Sequence, residues 1–254
     1  FFFRRVFFDL LRAARERRPD AVLLVDYPGF NLRFAERAHR LGFKVIYYIC
    51  PQVWAWNRRR IPYMAGIVDR LISIFPFEPE VFRGTPLKVD YVGHPFYEEA
   101  QTRLRQPLPA LDWPGTPRLA LLPGSRRHEI QRLLPPQLET VRRLHSDHPQ
   151  LSALIAAPSP EIAEELRRVA EKAGGLPPRT RIVAGQTADI LRSADAALVA
   201  SGTATLEAGL LGCPTVILYK MSWPTYGLGR LLVSIRHIGM LNIIADRRIC
   251  PEFL

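Results

Sequence analysis

An apolar run, Ala196-Ala197-Leu198-Val199-Ala200, leads without a spacer into Ser201-Gly202-Thr203-Ala204-Thr205-Leu206-Glu207. A strand that ends in Ser-Gly-Thr and turns straight into a helix leaves main-chain N–H groups unpaired at the helix start. Those donors, with the positive end of the helix dipole, make a seat for a phosphate or diphosphate. Upstream, Leu119-Ala120-Leu121-Leu122 runs into Pro123-Gly124-Ser125-Arg126, with Glu129 one turn later, and repeats the design. A single Gly-Ser turn is explained well enough by tight βα geometry. Two in one half of the chain point to a nucleotide whose diphosphate is gripped from two sides.

The chain has 254 residues, of which 48% are apolar, enough for two α/β domains with cores of their own. No apolar stretch is long enough to cross a bilayer. The formal net charge of +11 favours anionic partners: nucleic acid, acidic headgroups or phosphorylated substrates. Nucleic acid is the poorest of these, because the Arg residues are dispersed and no zinc or helix-turn-helix signature is present. Cys50, Cys213 and Cys250 are odd in number and lack metal-ligand spacing, so the sequence predicts no metal site and a cytoplasmic protein. The opening block Phe1-Phe2-Phe3-Arg4-Arg5 is too charged and too short for a signal peptide. A chain that opens without Met and closes on Glu252-Phe253-Leu254 reads as truncated at both ends.

Strand and helix patterns alternate throughout. Residues 1–17 read as an amphipathic helix, Ala21 to Asp26 as a buried strand and Asn31 to Leu41 as a helix. A strand follows at Phe43 to Ile49, a weaker helix at Arg58 to Val68, and strands at Arg70 to Phe75 and Val89 to Val92. In the second half strands are expected near 118–122, 152–156, 181–183, 196–200 and 214–219. Pro135-Pro136 should kink or break the helix that follows Arg126. The fold class is α/β, with parallel sheets wrapped by helices: two Rossmann-like domains facing across a cleft, the N-terminal one incomplete. Their bounds are 1–98 and 117–254, with a Pro- and Gln-rich linker at 99–116. Ligands of such sheets bind at the carboxyl ends of the strands.

Several residues could carry chemistry there. Asp26 ends its strand before Tyr27-Pro28-Gly29-Phe30-Asn31, where Asn31 can cap the next helix. Its carboxylate either accepts a proton from a substrate hydroxyl or caps its own turn. Trp54 and Trp56 lie in Pro51-Gln52-Val53-Trp54-Ala55-Trp56, either as a platform for a sugar or acyl chain or as a plug between domains. Arg58, Arg59 and Arg60 follow as a basic edge. His94, in Gly93-His94-Pro95, is either a donor to substrate or structural. Arg126 can pair bidentately with phosphate oxygens. Glu207 either holds vicinal ribose hydroxyls or stabilises its helix dipole. Arg230, Arg236 and His237, among Leu, Ile and Trp residues, fit a helix at an anionic membrane surface or an ordinary amphipathic helix.

Taken in order, Asp26-Tyr27-Pro28-Gly29-Phe30-Asn31, Pro51 to Trp56, Phe75-Pro76-Phe77-Glu78, Val92-Gly93-His94-Pro95, Leu122 to Arg126 with Glu129, and Ala200 to Glu207 closely resemble the lipid-A-disaccharide synthases. The resemblance covers nearly the whole chain, and Asn242-Ile243-Ile244-Ala245 resembles a late block of the same family. It implies a GT-B fold and an inverting, metal-independent transfer of 2,3-diacylglucosamine from its UDP donor onto 2,3-diacylglucosamine 1-phosphate. The products would be a β-1,6 disaccharide and UDP. Asp26 would be the general base. Ser125, Arg126, Glu129, Ser201, Gly202, Thr203 and Glu207 would bind UDP, with Asn242 nearby; His94, Trp54 and Trp56 would contact the acceptor or be structural. The resemblance implies no cofactor, a peripheral place on the inner face of the inner membrane, and a homodimer of the full-length protein. The family's early Gly-Glu-Ala-Ser-Gly-Asp block is absent, and its Gly-Arg-Glu reads Asp246-Arg247-Arg248, to which no role carries over. The competing readings are a UDP-sugar epimerase, another GT-B transferase, or a non-catalytic basic module that binds anionic lipid.

Overall fold

The computed structural model describes residues 2–220 and 237–253. These residues divide into two compact units, one reaching Pro95 and the other beginning at Phe96. Arg230 and Arg236, in the segment read as a membrane-surface helix, lie outside the described residues.

In the first unit, α1 (Phe2–Arg17) precedes β1 (Ala21–Val25), α2 (Pro28–Arg40), β2 (Lys44–Tyr48), the short helices α3 (Val53–Trp56) and α4 (Arg60–Ala65), β3 (Arg70–Ser73), α5 (Glu78–Val81) and β4 (Lys88–Tyr91). The four strands are parallel and lie in chain order, β1-β2-β3-β4. Parallel order requires a crossover between each pair, which the helices supply. The core gathers Ala35 and Ala38 of α2, Val45 and Tyr47 of β2, Met64 of α4 and Leu71 of β3. β1 departs from the expected buried strand: it is an edge strand in which only Leu24 is buried, because it has a neighbour on one side alone.

The second unit has α6 (Pro95–Arg105) across its boundary, then β5 (Arg118–Leu122), α7 (Arg127–Asp147), β6 (Ser152–Ala157), α8 (Pro160–Lys172), β7 (Thr180–Ala184), α9 (Thr187–Ser193), β8 (Ala196–Ala200), α10 (Thr203–Leu210), β9 (Thr215–Leu218), α11 (Met240–Ala245) and β10 (Glu252–Phe253). Its strands are parallel in the order β10-β9-β8-β5-β6-β7. Counted from β5, that is the 3-2-1-4-5-6 order of a dinucleotide-binding sheet, with the order reversing between β5 and β8. α8 shows how the sequence builds a layer. Ser159 accepts from the Ile162 N–H at its start, Pro160 sits in the first turn, and Ala163, Leu166, Val169 and Ala170 form the buried stripe.

Two local expectations differ from what forms. α7 runs unbroken through Pro135 and Pro136. The carbonyls those prolines leave without donors belong to Gln131 and Arg132, which are exposed, while Leu133, Leu134, Leu138 and Val141 are buried and hold the helix in place. The segment expected as a linker at 99–116 opens inside α6, whose Ala100 is buried against Leu122 and the helices nearby.

Candidate nucleotide site and candidate base

β5 and β8 pair directly, with Leu122 opposite Val199. The two Gly turns that follow these strands therefore leave the same edge of one sheet as neighbours, at the point where strand order reverses. Among the described residues the N–H groups of Ser125, Arg127 and His128 at the start of α7, and of Gly202, Thr203 and Ala204 at the start of α10, have no partner. Ser125, Gly202 and Thr203 are exposed. This is a double set of free donors at two helix starts, suited to an anion.

Each turn is built for its shape. Gly124 has φ +102°, and a Cβ there would stand 2.6 Å from Glu129 Oε2 and 2.9 Å from Glu129 Cβ. Glu129 folds back over that gap: Oε2 accepts from the Arg126 N–H at 3.3 Å, and Oε1 accepts from the Arg126 guanidinium at 2.9 Å. Arg126 is three-quarters exposed, so its guanidinium can turn from Glu129 to a phosphate. In the second turn, Ser201 N–H bonds to Leu218 O, and its Oγ donates to Ile238 O at 3.2 Å. Thr205 closes the turn by donating to Gly202 O at 2.7 Å.

Glu207, one turn into α10, lines a cavity of about 220 Å³ with Phe96, Glu99 and Arg103 of α6, Ala188 of α9 and Leu211. Burial raises its carboxyl above the ordinary range, the Glu99 charge adds to the rise, and Arg103 offsets part of it. Sequence reading gives Glu99 and Arg103 no role because they fall in the stretch read as linker.

Asn242, near the UDP-binding residues in the resemblance, is held inside the second unit. It is fully buried, and its amide is satisfied by its own chain. Nδ2 donates to Cys250 O at 2.8 Å and to Glu252 Oε1 at 2.7 Å, while Oδ1 accepts from the Ile249 and Cys250 N–H groups. It fastens the loop before β10, and it would have to give up one of those bonds to touch a nucleotide.

In the first unit, Asp26 leaves β1 with φ +47°, and Tyr27 follows with φ +45°. Two consecutive left-handed non-glycine residues cost roughly 1 kcal/mol or more each. Three bonds fix them: Asp26 N–H to Tyr48 O at 2.9 Å, and Asp26 O accepting from Tyr47 Oη at 2.5 Å and from Asn31 Nδ2 at 2.7 Å. α2 starts at Pro28, three residues before the expected cap, so Asn31 lies in its first turn and also donates to Val25 O. The Asp26 carboxylate is exposed and takes part in no hydrogen bond among the described residues, so it does not cap its own turn. Tyr47 was not singled out in the sequence; it is buried, and burial, then the Asp26 charge, hold its hydroxyl protonated.

Trp54 is buried inside this unit. Its Nε1 donates to Glu78 Oε1 at 3.2 Å, and its ring meets Phe77 edge-on at 4.9 Å. Glu78 Oε2 accepts from the Ile74 and Phe75 N–H groups at 3.2 and 3.1 Å, and no part of Glu78 is exposed. Trp54 is therefore part of a packed joint between the loops after β2 and β3. The Trp56 side chain lies outside the described residues. His94 is half-buried, 5.6 Å from the Phe75 ring, and burial lowers its imidazole below the usual value. Among the described residues no three His, Cys, Asp or Glu side chains are grouped to hold a metal ion, and no helix is long and apolar enough to cross a membrane.

Solved structures share this fold. The UDP-GlcNAc 2-epimerase of Neisseria meningitidis bound to UDP-GlcNAc superposes with a TM-score of 0.59 at 14% identity, over 96% of this chain and 71% of its own. The UDP-GlcNAc 2-epimerase of Methanocaldococcus jannaschii gives 0.58 at 13%, over 89% and 68%. At such identities the likeness establishes the fold alone, a GT-B-like pair of α/β units. Sequence relatives are nearer. The lipid-A-disaccharide synthase of Anaeromyxobacter dehalogenans (strain 2CP-C) is 43% identical over 96% of this chain, and that of Myxococcus xanthus (strain DK1622) is 40% identical over 96%. The chain spans 63% of the Anaeromyxobacter protein and 64% of the Myxococcus one. The lipid-A-disaccharide synthetase family model matches residues 1–254, and the chain belongs to that family.

Proposed function

We propose that the protein transfers 2,3-diacylglucosamine from its UDP donor to the 6-hydroxyl of 2,3-diacylglucosamine 1-phosphate, giving the β-1,6 disaccharide and UDP. The observation that carries this reading is the pairing of Leu122 with Val199, which brings two helix starts rich in free N–H donors to one sheet edge. UDP departs with negative charge developing on its β-phosphate. The main-chain donors of Ser125, Gly202 and Thr203 and the guanidinium of Arg126 stabilise that charge without a metal. Glu129 holds Arg126 until the diphosphate replaces it, and Glu207 takes the ribose hydroxyls. Asn242 serves the site from behind, by shaping the loop before β10.

Asp26 accepts the proton from the acceptor hydroxyl as its oxygen bonds to the anomeric carbon and the carbon–phosphate oxygen bond breaks. One displacement inverts the centre, and a positioned base contributes about 10²–10⁴-fold. The fixed left-handed turn and the unbonded carboxylate support this role for Asp26. His94 and Trp54 take the structural alternative, packing against Phe75 and against Phe77 and Glu78. With two lipid substrates and a net charge of +11, the enzyme works in the cytoplasm against the anionic inner face of the inner membrane.

The test is isotope transfer from labelled UDP-2,3-diacylglucosamine to the monosaccharide acceptor by the full-length protein, with Asp26→Ala alongside. Labelled disaccharide is expected from the parent and none from the variant, whose UDP affinity stays unchanged. An epimerised UDP-sugar in place of disaccharide would move the assignment to an epimerase. No product at all, with binding to anionic lipid retained, would leave a non-catalytic module.

A further inference from the structure

Glu252 lies on β10, where pairing with Ile217 of β9 fixes its backbone. Its carboxylate collects three donors: Oε2 takes the Ile238 N–H at 3.1 Å, and Oε1 takes the Gly239 N–H at 2.9 Å and Asn242 Nδ2 at 2.7 Å. The peptide held in this way presents its other side to the nucleotide turn, because Ile238 O accepts from Ser201 Oγ. Gly239 allows the close fit, since a Cβ there would meet Ile217 Cδ1 at 2.2 Å. One carboxylate is thus two bonds from the first residue of the Ser201-Gly202-Thr203 turn, and no motif reading assigns it anything.

The geometry points to Glu252 as a positioning residue for diphosphate binding, acting through the Ile238 peptide on Ser201. The inference rests on the reading that this turn holds UDP. With the Ile238 carbonyl fixed, the Ser201 hydroxyl proton is committed to it, and the Oγ lone pairs and the adjacent Gly202 and Thr203 N–H groups keep one orientation. A glutamine at 252 offers a single acceptor oxygen and sets an NH₂ against N–H donors, so the 238–239 peptide must move and Ser201 loses its acceptor.

A double-mutant cycle tests this in the full-length protein: Glu252→Gln, Ser201→Ala and the pair, with UDP affinity read by calorimetry and the unfolding midpoint read separately. Glu252→Gln should weaken UDP roughly tenfold, as expected for the loss of a charge-assisted hydrogen bond, but less than about twofold when Ser201 is already Ala. A variant that melts earlier yet binds UDP as the parent does, or whose effect multiplies in full with that of Ser201→Ala, overturns the inference. If Ser201→Ala leaves UDP affinity untouched, the fault lies instead in the reading of the turn as the diphosphate seat. Should Glu252→Gln not fold, Glu252→Asp, whose carboxylate falls one methylene short of the same donors, must show the same coupling or the inference fails.

Discussion

The buried hydroxyl of Tyr47 donates to the main-chain carbonyl of Asp26, 21 residues away in sequence, and Asn31 donates to the same oxygen. Together they hold a left-handed pair that the backbone would otherwise leave. Tyr47→Phe removes one donor and should cost about 1 kcal/mol of stability. Asn31→Ala removes the bonds to Asp26 O and Val25 O and should cost about twice that. Denaturant unfolding reads both. Turnover should fall in the same order while UDP affinity holds. A full-rate Asn31→Ala would mean that this turn does not aim the base.

Arg126→Ala should weaken UDP by about 10- to 100-fold, the worth of a charge-assisted contact. Arg126→Lys should recover little of it, because an ammonium cannot offer the planar fork. Gly124→Ala should behave as a local mimic with a stability cost added, since its Cβ lands on the Glu129 carboxylate and its φ is +102°. Calorimetric UDP titration of all three separates charge from turn geometry: equal affinity for Arg126→Ala and the parent would remove Arg126 from the site.

Glu207→Gln should trade binding for stability. Burial and Glu99 raise the Glu207 carboxyl, so its folded value lies above the ordinary 4.5 and ionising it works against folding. That penalty is absent below the unfolded value and grows as pH rises through the folded one. The variant should therefore be more stable than the parent at pH 7, with the difference vanishing below about pH 4.5. With Glu207 in its proposed role towards the ribose hydroxyls, UDP affinity should fall roughly tenfold, because one amide oxygen replaces two carboxylate oxygens. Melting curves across pH and UDP titration decide it; unchanged affinity would place the ribose elsewhere.

The sheets were legible because apolar runs such as Leu119 to Leu122 and Ala197 to Ala200 are buried on both faces and carry their own signal. The paired turns were legible for the same reason, since each follows such a run directly. β10 was not, because two residues have no period to read. The second half of α6 reads as linker because its exposed polar face looks like one, with only Ala100 buried. Asn242 shows a limit of another kind: a motif marks a residue as needed but not whether it touches the ligand or the chain. Tyr47 and Glu252 act through partners distant in sequence, and Glu78 joins the neighbouring Ile74 and Phe75 N–H groups to the distant Trp54, which no local pattern encodes.

Glu78→Gln should have the opposite outcome from Glu207→Gln, although the substitution is the same. Desolvation raises the Glu78 carboxyl, and the Phe75, Trp54, Ile74 and Cys50 donors pull against that rise. Burial alone would make the neutral amide the more stable choice. Donor geometry decides otherwise: Oε1 receives Trp54 Nε1 and Oε2 receives two main-chain N–H groups, so both ends must accept. Whichever way the amide turns, its NH₂ faces a donor and leaves at least one buried N–H unpaired, at about 1–3 kcal/mol. The penalty falls on the joint between the loops after β2 and β3, so Trp54 fluorescence should shift along with an earlier unfolding midpoint. UDP affinity should be unchanged, because every Glu78 contact lies in the first unit. A Glu78→Gln protein as stable as the parent, with Trp54 emission unaltered, would show that desolvation outweighs the three accepted hydrogen bonds.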